Sequence, residues 1–89
     1  MNTYEIWDNK GKGLYKIRKY QEAIECYDKA LEINPTCVSA LNDKGLALDA
    51  LEKPHDAIGC YNRALDIDPK YAAAWINAGF ALGTLGKLQ

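Results

Sequence analysis

No stretch of this chain alternates apolar and polar residues over a strand's length, so no sheet is expected. Histidine occurs once. His55 stands at a turn beside Pro54, with no Cys or Ser spaced to complete a nucleophile–base pair, which removes the usual parts of acyl-transfer catalysis. The cysteines Cys26, Cys37 and Cys60 form no CxxC and no other ligand cluster, so neither a metal nor a redox centre is expected. Gly11-Lys12-Gly13 is too short for a phosphate loop and follows no strand. The chain is therefore read as having no catalytic residues and no cofactor. A net charge of −1 supplies no field for nucleic acid or an anionic membrane. No run of 18 apolar residues is present, and the opening MNTYEIWDNKGK is too polar for a secretory signal, which makes the cytoplasm the expected compartment.

What the chain does contain is one stretch written twice. AIECYDKALEINP runs from Ala23 to Pro35 and AIGCYNRALDIDP from Ala57 to Pro69, 34 residues further on. Residues 4–37 laid over 38–71 are identical in 12 of 34 columns, among them Lys10/Lys44, Gly11/Gly45, Leu14/Leu48, Ala23/Ala57, Tyr27/Tyr61, Ala30/Ala64 and Pro35/Pro69. A third copy begins at residue 72: Trp75, Gly79 and Leu82 continue the columns of Trp7, Gly11 and Leu14. A fixed period of this size marks stacked structural repeats. The boundaries read as 4–37, 38–71 and an incomplete 72–89.

Within each copy the apolar residues recur at helical spacing. The pattern predicts helices over 4–17, 21–33, 37–51, 54–67 and from Lys70 or Tyr71 onwards. Arg18-Lys19-Tyr20 and Glu52-Lys53 form the turns within copies. Asn34-Pro35 and Asp68-Pro69 stop the second helices, since a proline ring disfavours helical geometry in the residue before it. Thr36 is the expected cap of the third helix, and Pro54 suits the first turn of the fourth. Gly83 and Gly86 are expected to loosen the last turns of the fifth. A mid-helix glycine costs about 1 kcal/mol relative to alanine, so its recurrence at Gly11, Gly45 and Gly79 predicts close helix approach. Ala23 and Ala57 are the expected facing residues, with Tyr27 and Tyr61 beside them.

A 34-residue helix–turn–helix unit carrying Trp7, Gly11, Leu14, Ala23, Tyr27, Ala30 and Pro35 resembles the tetratricopeptide repeat. The second copy matches with Leu41, Gly45, Leu48, Ala57, Tyr61, Ala64 and Pro69. Two departures are mild: leucine replaces the usual aromatic at Leu14, and Lys10 and Lys44 replace an apolar residue. The resemblance implies an all-α solenoid of antiparallel helix pairs, five helices in all, wound into a right-handed superhelix. It implies a non-catalytic protein-interaction module whose first helices line a concave groove for a peptide or helix.

Carried onto this sequence, the groove columns hold Asp8, Asn42 and Ile76; Asn9, Asp43 and Asn77; Lys12, Leu46 and Phe80; and Tyr15, Asp49 and Gly83. The groove residues singled out are Asp8, Asn9, Lys12, Tyr15, Asn42, Asp43, Leu46, Ile76, Asn77 and Phe80. Asparagine amides there can both donate to and accept from a peptide backbone, while Leu46, Ile76 and Phe80 offer an apolar seat. One subclass of the family grips acidic chaperone tails with Lys and Asn side chains. The matching positions here are Asp8, Lys12, Asp43, Ala73 and Asn77, and two aspartates would repel a carboxylate. The expected partner is thus a neutral, apolar or basic protein segment. The uncovered fifth helix predicts self-association through Trp75, Gly79, Leu82 and Leu85, which makes a homo-oligomer. The alternative is a structural self-assembly unit whose repeat ends are the main interface.

Overall fold

The computed structural model describes residues 3–88, and the expected end of the third segment at Gln89 lies outside them. Five helices account for the fold: α1 (Thr3–Lys16), α2 (Tyr20–Ile33), α3 (Val38–Ala50), α4 (Pro54–Ile67) and α5 (Ala72–Leu88). No strand occurs among the described residues. Each helix packs on the next, and α1, α3 and α5 also touch one another in sequence order. The odd-numbered helices therefore form one continuous wall.

The turns inside the two copies are built alike. Lys19 N–H donates to the Leu14 carbonyl and Lys53 N–H to the Leu48 carbonyl, each at 2.9 Å. These six-to-one bonds need a left-handed residue, supplied by Arg18 (φ 63°) and Glu52 (φ 60°) rather than by glycine. Tyr20 belongs to α2, not to the turn.

The stops also repeat, but not as Thr36 suggested. Asn34 and Asp68 take extended backbone before their prolines. The Asn34 side-chain oxygen accepts from the Thr36 amide at 3.2 Å and the Thr36 hydroxyl at 2.9 Å. Asp68 accepts from the Lys70 amide at 3.1 Å in the same way. A short polar side chain that satisfies the backbone two residues on holds the turn. It draws the Thr36 hydroxyl away from α3, whose N-cap is Cys37 without a side-chain bond. Gly83 and Gly86 do not break α5, which runs helically through both.

Half of the buried apolar residues are alanines, and among the described residues the large side chains fully enclosed are Tyr27, Tyr61 and Leu41. A β-carbon on Gly11 would lie 2.5 Å from the Tyr27 ring, and one on Gly45 closer still to Tyr61. The glycines thus accommodate the rings directly, and the alanines are not their nearest neighbours. Gly79 would meet nothing within 4 Å among the described residues.

Candidate functional site

The wall of α1, α3 and α5 has two polar residues buried in it, Asp8 (6% exposed) and Asn42 (5%). They occupy the same column one repeat apart, and each faces the next helix of the wall. Asn77 Nδ2 donates to Asn42 Oδ1 at 3.0 Å, bracing α5 against α3. Between α1 and α3 the equivalent pair is Asp8 and Asp43, two carboxylates that cannot bond directly. Ser39 and Lys12 mediate: the Ser39 hydroxyl lies 3.2 Å from Asp8 Oδ2 and 3.4 Å from Asp43 Oδ2. Lys12 Nζ lies 3.4 Å from Asp8 and 3.9 Å from Asp43. Asp8 Oδ1 is enclosed without a partner.

This crowding changes the acid–base character of the groups. Burial, reinforced by the charge of Asp8, pushes the Asp43 carboxyl up to about 6, with Lys12 and Ser39 opposing. Burial works against the Lys12 charge, yet Asp8 and Asp43 together hold its ammonium above the ordinary value. Since the folded Asp43 binds its proton more tightly than the ordinary 3.8, this group withdraws stability as pH rises from about 4 to about 6 and keeps it withdrawn above. Asp43→Asn is therefore expected to raise stability by about 1 kcal/mol at pH 7.5, a value discounted for partial exposure, and not at pH 4. Thermal unfolding of both proteins across that range checks it; a lower melting temperature for the variant at pH 7.5 contradicts it.

Lys12, Tyr15, Asp43 and Leu46 come together around a cavity of about 320 Å³, with Lys16 and Tyr27. Tyr15 is set there edge-on to Tyr20, ring centroids 5.3 Å apart. Asp8, Asn9 and Lys12 line a second cavity with Tyr4, Ser39 and others, about 470 Å³. Asn9 is exposed and Asn77 half-buried, while Asn42 is committed to Asn77 inside the wall. Ile76 (58% exposed) and Phe80 (73%) stand on the surface of α5. Phe80 is the one member of the singled-out set that lines the third cavity, about 480 Å³, where it meets Asp49 of the groove columns together with Glu52, Pro54, Ala81 and Thr84. Asp49 shares a column with Tyr15, and the repeat register is the signal that points to it. Glu52 lies in the turn and Pro54 opens α4, both beyond the groove columns.

On the opposite side, one column shows three environments. Trp7 is half-buried with Lys10 and Lys29 ammonium groups 5.3 and 4.8 Å from its ring centre. Leu41 is enclosed. Trp75 is 58% exposed, and its indole N–H donates to the Pro69 carbonyl at 2.7 Å. Leu82 is exposed and Leu85 half-buried. The thiols of Cys26, Cys37 and Cys60 are free and buried, and burial raises the pKa of each. Among the described residues no helix is long and apolar enough to cross a membrane.

Solved structures share this architecture. The second TPR of Spaghetti (RPAP3), bound to the HSP90 peptide SRMEEVD, superposes with a TM-score of 0.93 at 26% identity, over 98% of this chain and 81% of that one. The first TPR of the same protein, bound to the same peptide, gives 0.92 at 29% identity, over 96% and 69%. The Sgt2 TPR domain from Aspergillus fumigatus gives 0.93 at 25% identity, over 98% and 58%. No curated protein matches the chain. The tetratricopeptide repeat profile matches residues 4–37 and again 38–71. Two consecutive copies in register, folded as nested helix pairs, place the chain in the tetratricopeptide repeat family.

Proposed function

We propose that this chain is a non-catalytic protein-interaction module that binds a peptide or helix along the wall of α1, α3 and α5. The observation that carries the reading is the bare apolar surface of Ile76 and Phe80 on α5, part of a wall already recessed by three cavities. The groove set is Asp8, Asn9, Lys12, Tyr15, Asn42, Asp43, Leu46, Ile76, Asn77 and Phe80, with Asp8 and Asn42 acting from within the wall. Structures of this fold bound to the HSP90 peptide SRMEEVD support peptide binding as a class. Lys12 here already serves two aspartates, so the partner is a neutral, apolar or basic segment rather than an acidic tail. Free, unlinked thiols accord with a cytoplasmic setting.

Self-association is a second part of the reading, and the observation favouring it is the open column of Trp75, Gly79 and Leu82, continued by Leu85. In the first two copies Gly11 and Gly45 receive a tyrosine ring from the second helix of the same repeat; among the described residues Gly79 meets nothing within 4 Å, and Trp75 and Leu82 are exposed. Burying one Trp and two Leu side chains is worth several kcal/mol, roughly 1.5–3 for each large aliphatic group. The rival reading makes these repeat ends the main interface and leaves the groove idle.

One experiment separates the readings. Leu46→Asp with Phe80→Asp is expected to abolish capture of partner proteins while leaving the particle mass unchanged. Trp75→Asp is expected to shift light-scattering mass towards monomer, weakening association on the order of 100-fold, with capture retained. If only Trp75→Asp has an effect, the self-assembly reading replaces the groove reading. A strictly monomeric unmodified chain at high concentration ends the self-association reading.

A further inference from the structure

We propose that the 480 Å³ cavity between the end of α3 and α5 receives an arginine or lysine side chain from the bound segment. The inference rests on the groove reading above and names the chemistry of its anchor. Three features of the cavity define the occupant: its apolar lining, its two carboxylates and, among the described residues, the lack of any cationic side chain lining it.

Phe80, Pro54 and Ala81 supply apolar lining, and Phe80 is the most exposed large apolar residue among those described. A long aliphatic stem can lie on this surface. Asp49, Glu52 and Thr84 supply the polar lining. The Tyr61 hydroxyl donates to Asp49 Oδ2 at 2.7 Å, which fixes that carboxylate without supplying a positive charge. Among the described residues, the ion pairs are Lys12 with Asp8 and Asp43, and Lys44 with Asp28. Neither Asp49 nor Glu52 has a cationic partner among them.

The neighbouring cavity is the contrast. Lys12 and Lys16 line it themselves, and Lys12 is engaged by two carboxylates. A basic ligand group therefore belongs with Asp49 and Glu52, not there. The cavity volume falls within the range of about 300–1,000 Å³ found for small-ligand sites, enough for one long side chain. A guanidinium suits it best, because its planar fork bonds carboxylates and its face stacks on an aromatic ring. Ile76 is exposed one helical turn before Phe80 on α5, so the residue beside the arginine should be aliphatic. An acidic side chain would meet two uncompensated carboxylates and be turned away.

The test is selection of peptides from a random twelve-residue phage library, followed by fluorescence anisotropy of the best peptide. Three proteins are compared: the unmodified chain, Asp49→Asn with Glu52→Gln, and Leu46→Asp with Phe80→Asp. Circular dichroism verifies that each is folded. The unmodified chain is expected to enrich Arg or Lys next to an aliphatic residue. The double variant Asp49→Asn with Glu52→Gln is expected to erase the basic preference and weaken the best peptide about tenfold. Rising salt should weaken the unmodified protein more than that variant. Acidic enrichment, or a basic preference that survives both substitutions, overturns the proposal. Apolar peptides without a basic residue, lost on Leu46→Asp with Phe80→Asp, overturn it while leaving the groove reading intact. No enrichment of any peptide sinks both.

Discussion

Gly45→Ala is expected to cost about 2 kcal/mol, while the same change at Gly79 is expected to stabilise by up to about 1 kcal/mol. The two glycines share one column of the repeat, and helix propensity favours alanine at both by about 1 kcal/mol. At Gly45 the new methyl would fall on the ring of Tyr61. That ring is fully enclosed, and its hydroxyl is tied to Asp49, so it has nowhere to go. Overpacking of this kind costs about 1–3 kcal/mol or more and overrides the propensity gain. At Gly79 the methyl enters open space. Gly11→Ala belongs with Gly45, and its cost is expected to be smaller, since the Tyr27 ring lies slightly farther from the added methyl and its hydroxyl is tied to no group among the described residues. Urea denaturation of the three variants reads the effect directly. A destabilising, concentration-dependent Gly79→Ala would mean that the α5 face is covered by a second chain in solution, and would favour self-association.

Tyr61→Ala has the larger expected effect. It empties the space between α3 and α4 of the side chain that fills the Gly45 notch, at a cost of about 3–5 kcal/mol. A domain of this length has only about 4–13 kcal/mol in total, so the variant should be largely unfolded at moderate temperature. Tyr61→Phe dissects the effect. It keeps the ring and removes the hydrogen bond to the Asp49 carboxylate, for about 1–2 kcal/mol. Tyr27→Phe is expected to be nearly neutral, because the Tyr27 hydroxyl donates to no group among the described residues, although its ring is equally enclosed. Thermal melts followed by circular dichroism check all three. Equal losses for the two Phe variants would show that the Asp49 bond contributes nothing to the difference between the repeats.

The glycine column shows how far the pattern of residues reaches. Recurrence of Gly11, Gly45 and Gly79 signals close approach, and close approach occurs at the first two. The same pattern points to Ala23 and Ala57 as the facing residues, yet the rings of Tyr27 and Tyr61 take that place. Choosing between a small residue and a ring four positions along one helix requires the rotation of that helix about its axis. Periodicity locates the buried stripe but not which member of it points at a given notch. Thr36 does not cap α3 for a different reason: Asn34, two residues away, competes for the same hydroxyl.

The candidate groove divides in the same manner. Its columns follow from the repeat register, and Lys12, Tyr15, Asp43 and Leu46 do share a cavity. That Asn42 pairs with Asn77, and Asp8 with Asp43 through Lys12 and Ser39, is a relation between residues 35 apart on different helices. No spacing within one repeat encodes it. The same holds for the cavity of Asp49, Glu52 and Phe80, which joins the end of one helix pair to the next helix.

The amino-acid order alone determined the period, the helix-pair unit, its stops at Pro35 and Pro69, and the family, because each of these is written in contacts between residues close along the chain and repeats at a fixed spacing. Tertiary structure alone decided which polar side chains vanish into the wall, how far Asp43 is driven from its ordinary acidity, and which glycine is filled and which left open. Those outcomes depend on what the neighbouring repeat places opposite, and identical columns meet different neighbours at the two ends of a short stack.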